Sequence, residues 1–69
     1  MEVFAPMVGR VVSVDVKVGD KVCKNDTVAT IEAMKMLVKV FSPIDGEIME
    51  IKVTVGSVVE SNTVIVVLR

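Results

Sequence analysis

Residues 5 to 32, shifted forward by 37, fall on residues 42 to 69, and the coincidences lie at the punctuation of the chain. Pro6 meets Pro43, Gly9 meets Gly46, Gly19 meets Gly56 and Asn25 meets Asn62. Val16, Val18 and Val22 also meet Val53, Val55 and Val59, but valine matches carry little weight in so valine-rich a chain. Proline and glycine decide where a chain can turn, so repeating them repeats the turns of a fold. The pattern restricts these 69 residues to a small fold of two equivalent halves. One run has no counterpart. Glu32-Ala33-Met34-Lys35-Met36 lies between the copies, with Lys35 at the midpoint of the chain. A lysine without a repeat partner, between repeated halves, is presented to something outside the domain.

The elements read as all-β. Val12, Val14, Val16 and Val18 alternate with Ser13, Asp15 and Lys17, which is the period of a half-buried strand. The second copy repeats this with Met49, Ile51, Val53 and Val55. Val18 and Val55 each abut a glycine, so they belong at strand ends and are less buried. Gly19-Asp20 and Gly56-Ser57 read as turns, because glycine accepts positive φ at little steric cost. Pro6 to Gly9 and Pro43 to Gly46 mark a reversal in each half, with strands ending before each proline. Asn25-Asp26 and Asn62-Thr63 mark another. Eight strands follow, near residues 2–5, 10–18, 21–23, 27–32, 36–41, 47–55, 58–60 and 64–69, with no helix.

Composition excludes several classes. A net charge of −1 gives no electrostatic footprint for nucleic acid, and two Phe with no Trp or Tyr leave little for base stacking. No apolar run reaches membrane-spanning length and no signal peptide is visible, so a cytoplasmic setting is the default expectation. Cys23 is the sole cysteine and reads as a small, partly buried hydrophobe. Without histidine, the chain offers nothing to activate a thiolate. Neither catalytic residues nor metal ligands are expected.

The centre of the chain breaks its own rules. A reversal is needed between the strand ending near Glu32 and the one beginning near Leu37. Two-residue hairpin turns favour Asn-Gly, Asp-Gly or Gly-Xaa. Here the chain offers Met34-Lys35, or at most Ala33 to Met36, with no Gly, Pro or Asn. A surface turn has no reason of its own to put two methionines in water. Sites where local logic gives way tend to be functional or strained. The plain alternative is a core methionine pair around an ordinary surface lysine.

These residues resemble the biotinyl, or biotin carboxyl carrier, domain family over essentially the whole chain. Ala33-Met34-Lys35-Met36 matches the family's Ala-Met-Lys-Met run at a hairpin tip. Ala5-Pro6-Met7-Val8-Gly9, Val18-Gly19-Asp20-Lys21-Val22 and Ser42-Pro43-Ile44-Asp45-Gly46 are similar to other family elements, in the right order. The resemblance implies one domain over residues 1–69, a flattened β-barrel of two four-stranded antiparallel sheets with pseudo-twofold symmetry. The modified lysine would sit on the central hairpin at one end and both termini at the other. It implies that biotin protein ligase attaches biotin to Lys35. The arm would then carry CO₂ as carboxybiotin between biotin carboxylase and carboxyltransferase, making the domain a non-catalytic carrier.

Within the motif, the resemblance makes Lys35 the attachment site and has ligase and carboxylase sites read Met34 and Met36. Ala33 is small where the modifying enzyme must approach the backbone. Glu32 is either a ligase contact or a plain solvent-facing strand residue. Leu37 and Val38 depart from the polar pair common in the family. Leu37 should face outward, as drift or as a partner-specific patch. The stretch from Gly9 to Gly19 leaves no room for a thumb insertion, which points to thumbless carriers. Because Met1 is followed almost at once by a strand, the reading leans toward an excised domain. The alternative is a lipoyl carrier of a 2-oxo acid dehydrogenase or glycine cleavage complex, which typically has Asp before the lysine and a small residue after it. A structural barrel used for assembly has no reason to keep Lys35 between two methionines.

Overall fold

The computed structural model describes residues 1–69 and contains strands and turns only. The strands are β1 (Glu2–Phe4), β2 (Gly9–Val14), β3 (Lys21–Val22), β4 (Thr27–Ala33), β5 (Met36–Phe41), β6 (Gly46–Ile51), β7 (Val58–Val59) and β8 (Val64–Leu68). They form two four-stranded antiparallel sheets, ordered β1-β8-β6-β3 and β5-β4-β2-β7. Eight strands in two four-stranded antiparallel sheets match the expectation, including strand ends ahead of Pro6 and Pro43.

The repeat is structural. Gly19 N–H donates to the Ile48 carbonyl and Gly56 N–H to that of Val11, both at 2.8 Å. Ile48 and Val11 N–H groups return bonds to Asp20 and Ser57, again at 2.8 Å. Each half's glycine turn is therefore completed by the other half. The tight turns are capped alike: Lys17 N–H donates to the Asp20 carboxylate and Thr54 N–H to the Ser57 hydroxyl. Cys23 N–H to Asp26 and Glu60 N–H to Thr63 form a second matched pair. Gly19 and Gly56 share a φ of 95°, where a side chain is strained.

Three expectations need correction. The long alternating stretches do not stay strand to residues 18 and 55; β2 and β6 stop at Val14 and Ile51. Their registers shift between Val11 and Ser13 and between Ile48 and Glu50. A bulge adds one residue and turns the strand over. Val11 and Ile48 therefore enter the core, whereas Val12 is only half-buried and Met49 is exposed. Past the bulge the expected face returns, and Val14, Val16 and Ile51 pack against the core while Val53 is buried. A second matched pair of shifts, at Val28 and Ile65, turns two consecutive residues inward in each half: Val28-Ala29 and Ile65-Val66. Val18 and Val55 are exposed, as their glycine neighbours imply.

Gly9 and Gly46 are the second correction. They are not turn residues of positive φ; they open β2 and β6. Their need for no side chain comes from close approach. A Cβ on Gly9 would stand 2.7 Å from the Glu32 carbonyl oxygen, and one on Gly46 would stand 2.8 Å from that of Arg69. Cys23 is also exposed rather than partly buried, because its turn places it outside both sheets.

The φ values and the open space around Gly19 and Gly56 generate a test of equivalence. Nothing lies within 4 Å of a Cβ at either position, so only backbone strain opposes a side chain. Gly19→Val and Gly56→Val should each cost about 1–3 kcal/mol in denaturant melts, and by similar amounts. A silent Gly56→Val beside a damaging Gly19→Val would break the equivalence.

Candidate functional site

The hairpin between β4 and β5 is the one element that the repeat does not duplicate. Six residue pairs join the two strands, ending with Ala33 opposite Met36, so Met34 and Lys35 alone make the turn. Their φ values are 54° and 66°. Positive φ at both central residues is type I′ geometry, whose twist matches the flanking strands. This is how the chain turns without the residues such a turn prefers. The left-handed conformation costs roughly 1–2 kcal/mol per non-glycine residue, and the β4–β5 ladder holds it in place.

The turn exposes what it carries. Met34 is 91% and Met36 69% accessible, so the methionine pair is not core packing. Lys35 is exposed between them. The molecule's two ion pairs, Arg10–Glu32 and Lys52–Glu50, do not include it. Lys52, in its pair, lies 2.9 Å from the Glu50 carboxylate. Lys35 projects as a primary amine on a short, fixed turn, available to an outside electrophile.

The base of the hairpin is held from inside and outside. Ala33 is buried beneath the turn, and its small side chain lets the strands close there. Glu32 is exposed on the outer face, across from Arg10 on β2 and Leu37 on β5. The Arg10 guanidinium stands 3.7 Å from its carboxylate. An exposed pair of this kind contributes little stability. Leu37 faces outward as expected, 68% accessible, while Val40 is buried.

Sequence reasoning did not single out Arg10, nor the groove beside it. A surface depression of about 570 Å³ runs from the hairpin along β2, lined by Met7, Val8, Arg10, Glu32, Met34 and Val58 among others. Arg10 and Glu32 are 22 positions apart and meet only through the β2–β4 register, which depends on the bulge at Val12. Val8 reads as part of the Pro6–Gly9 reversal and Val58 as an ordinary strand valine. Their exposure beside Met34 was the missing signal.

Against known proteins, residues 1–68 match the biotin/lipoyl family model, described as biotin-requiring enzyme. Over 32 residues, 46% of this chain, it is 69% identical to the 2-oxoglutarate carboxylase large subunit of Hydrogenobacter thermophilus, covering 5% of that protein. The whole chain superposes on part of the urea carboxylase of Kluyveromyces lactis with a TM-score of 0.94 and 29% identity, covering 6% of it. A single-chain, multi-domain long-chain acyl-CoA carboxylase gives 0.92 and 26%, with 99% of this chain and 7% of the other. The lipoyl domain of the 2-oxoglutarate dehydrogenase complex from Azotobacter vinelandii gives 0.81 and 27%, over 100% of this chain and 95% of the other. The chain thus spans a small fraction of the length of the carboxylases it matches and nearly all of the lipoyl-domain chain. With a full-length family match, two symmetric sheets and a lone lysine on their unduplicated hairpin, the chain belongs to the biotin/lipoyl family.

Proposed function

We propose that this chain is the biotin carrier of a biotin-dependent carboxylase, transcarboxylase or decarboxylase, with Lys35 as the attachment residue. The observation that carries the reading is Lys35 itself: an unpaired amine at a strained two-residue tip, between two exposed methionines. A lysine ammonium is a poor nucleophile at neutral pH. Nothing beside Lys35 needs to activate it if a ligase supplies both a base and an acyl-adenylate. The base takes the ammonium proton and Nζ attacks the acyl carbon. The amide C–N bond forms, the C–O bond to phosphate breaks, and AMP leaves. The positive charge is lost and the side chain becomes a neutral tether. Once bound, biotin would supply the ureido ring that carries CO₂.

The residues fit such a group. The fixed turn aims the tether away from both sheets, and tethering makes each visit to a partner site intramolecular, with effective concentrations of order mM. Met34 and Met36 give soft apolar contact to a ligase and to carboxylase sites, with Ala33 admitting close approach and Glu32 bordering the contact. The partners are biotin protein ligase and the biotin carboxylase and carboxyltransferase units of the parent enzyme. Neither half carries an insertion between its first long strand and the glycine turn, in keeping with a thumbless carrier.

Lipoylation is the second reading, and the lipoyl-domain superposition favours keeping it. Methionines on both sides of Lys35, and the higher TM-scores with carboxylases, favour biotin.

Two measurements separate the readings. Intact mass after co-expression with biotin ligase should show one biotin, and Lys35→Arg should abolish it while leaving the melt unchanged. A wild type that takes lipoate and refuses biotin reverses the assignment. The double variant Met34→Asp, Met36→Ala should lower the biotinylation rate by about tenfold or more and admit some lipoylation. Unchanged kinetics in that variant would remove the methionines from recognition.

A further inference from the structure

The pseudo-twofold provides an internal control for the groove beside Lys35. A second groove of about 390 Å³, lined by Lys21, Val22, Asp45, Gly46, Glu47 and Arg69, lies at the symmetry-related end. Shifted by 37, five of these six positions are lining positions of the first: Lys21 corresponds to Val58, Asp45 to Val8, Gly46 to Gly9, Glu47 to Arg10 and Arg69 to Glu32. The strand pairing is the same at both, down to the close approach of each glycine to a facing backbone carbonyl. The chemistry differs. One groove carries Lys21 and Asp45 at its rim; the other carries Val8 and Val58, 64% and 75% accessible, beside Met34.

The fold therefore does not demand an apolar rim. The charged copy closes the same geometry, and there the Asp45 carboxylate accepts a hydrogen bond from Lys24 N–H at 2.7 Å. Val8 and Val58 leave apolar surface in water, which a self-contained domain gains nothing by doing. The only charges within this groove, Arg10 and Glu32, face each other. A neutral, apolar surface of this kind fits an apolar partner surface.

Position identifies the occupant. The groove shares Met34 with the turn and lies against the backbone of the hairpin base. An enzyme that acylates Lys35 must bring its electrophile to Nζ, one lysine side chain from that backbone. An enzyme acting on the far end of a finished arm can read the two exposed methionines at the tip without reaching the base of the hairpin. We infer that the groove of Met7, Val8, Met34 and Val58 is a docking surface for an apolar side chain of the enzyme that acylates Lys35. The inference rests on the carrier reading above and adds to it a contact outside the motif.

The experiment is a transplant. Val8→Asp with Val58→Lys installs the residues that the other half already uses at equivalent positions, so the fold has a precedent for them. Steady-state biotinylation of the 69-residue chain by biotin protein ligase should show KM raised about tenfold or more, with kcat nearly unchanged, as expected for lost uniform binding. Lys21→Val, in the other groove, should leave both constants at wild-type values. Val58→Thr, which keeps the β-branched shape, should raise KM in the same direction and covers the case in which the double variant fails to fold. Wild-type KM in folded variants overturns the inference, as does a variant that is biotinylated normally but fails later as a carboxylase substrate. Failure of the carrier reading looks different: the wild type takes no biotin. If it takes lipoate instead, lipoyl ligase replaces biotin ligase in the same comparison, and KM decides the groove by the same criterion. No acylation of Lys35 by either enzyme overturns both proposals.

Discussion

Four backbone hydrogen bonds that cross between the halves hold the architecture together. Gly19 and Ile48, and Gly56 and Val11, are each joined by a donated amide, and the return bonds run from Ile48 to Asp20 and from Val11 to Ser57. Val11 and Ile48 are also the core residues next to the bulges that end the first register of β2 and β6. Turn, bulge and core thus meet at the same two residues. A chain of this size buries too little surface to tolerate loose ends, and each half uses the other's turn to close its strand. The halves form one core of 14 buried residues, drawn from both copies, so neither half has a core of its own.

That arrangement explains what could be read from the sequence and what could not. Turns were legible because Pro6, Pro43, Gly19 and Gly56 act locally, and repetition removed the ambiguity of any single one. The outward face of Leu37 followed from the period of β5, whereas the order of strands within each sheet was not read from the sequence. The register within β2 and β6 was not legible, because a bulge at Val12 or Met49 leaves no local mark in a run of apolar residues. The alternating face was therefore right after the bulge and wrong before it. Gly9 looked like a turn residue because glycine has two uses, and only the position of the Glu32 carbonyl distinguishes them. Lys35 was legible as a departure from the repeat; the groove beside it was not, since Arg10 meets Glu32 and Val58 only through pairing between distant strands.

The hairpin inverts the usual relation between turn and sequence. A type I′ turn normally recruits Asn-Gly because those residues accept its backbone angles. Either substitution would remove a side chain of the proposed attachment site. Met34 and Lys35 instead accept the angles under the constraint of a ladder of six pairs below them. Strain persists where surrounding structure over-determines it, and here the surrounding structure is the longest strand pair in the molecule. The result is a long amine at a narrow, stiff tip whose direction is fixed at the backbone while its far end is free.

The two ends of the barrel also differ in how they are fastened. At the end opposite the hairpin in the symmetry, the turn at residues 23–26 is tied to the segment after β5 by three bonds: Ser42 N–H to Asp26, Asn25 N–H to Ser42 and Lys24 N–H to Asp45. Asn25 adopts a φ of 75° there, whereas its copy Asn62 does not enter that region. At the hairpin end, the equivalent turn is joined to the segment after β1 by the Ala5 N–H to Thr63 bond, and Val8 stands where Asp45 makes its tie. Polar side chains that close one end are replaced by apolar ones at the other. Closure by internal hydrogen bonds satisfies a surface without a partner, whereas apolar side chains at the same positions gain free energy only when something covers them. The difference falls at the end that carries Lys35, where the proposed docking groove lies.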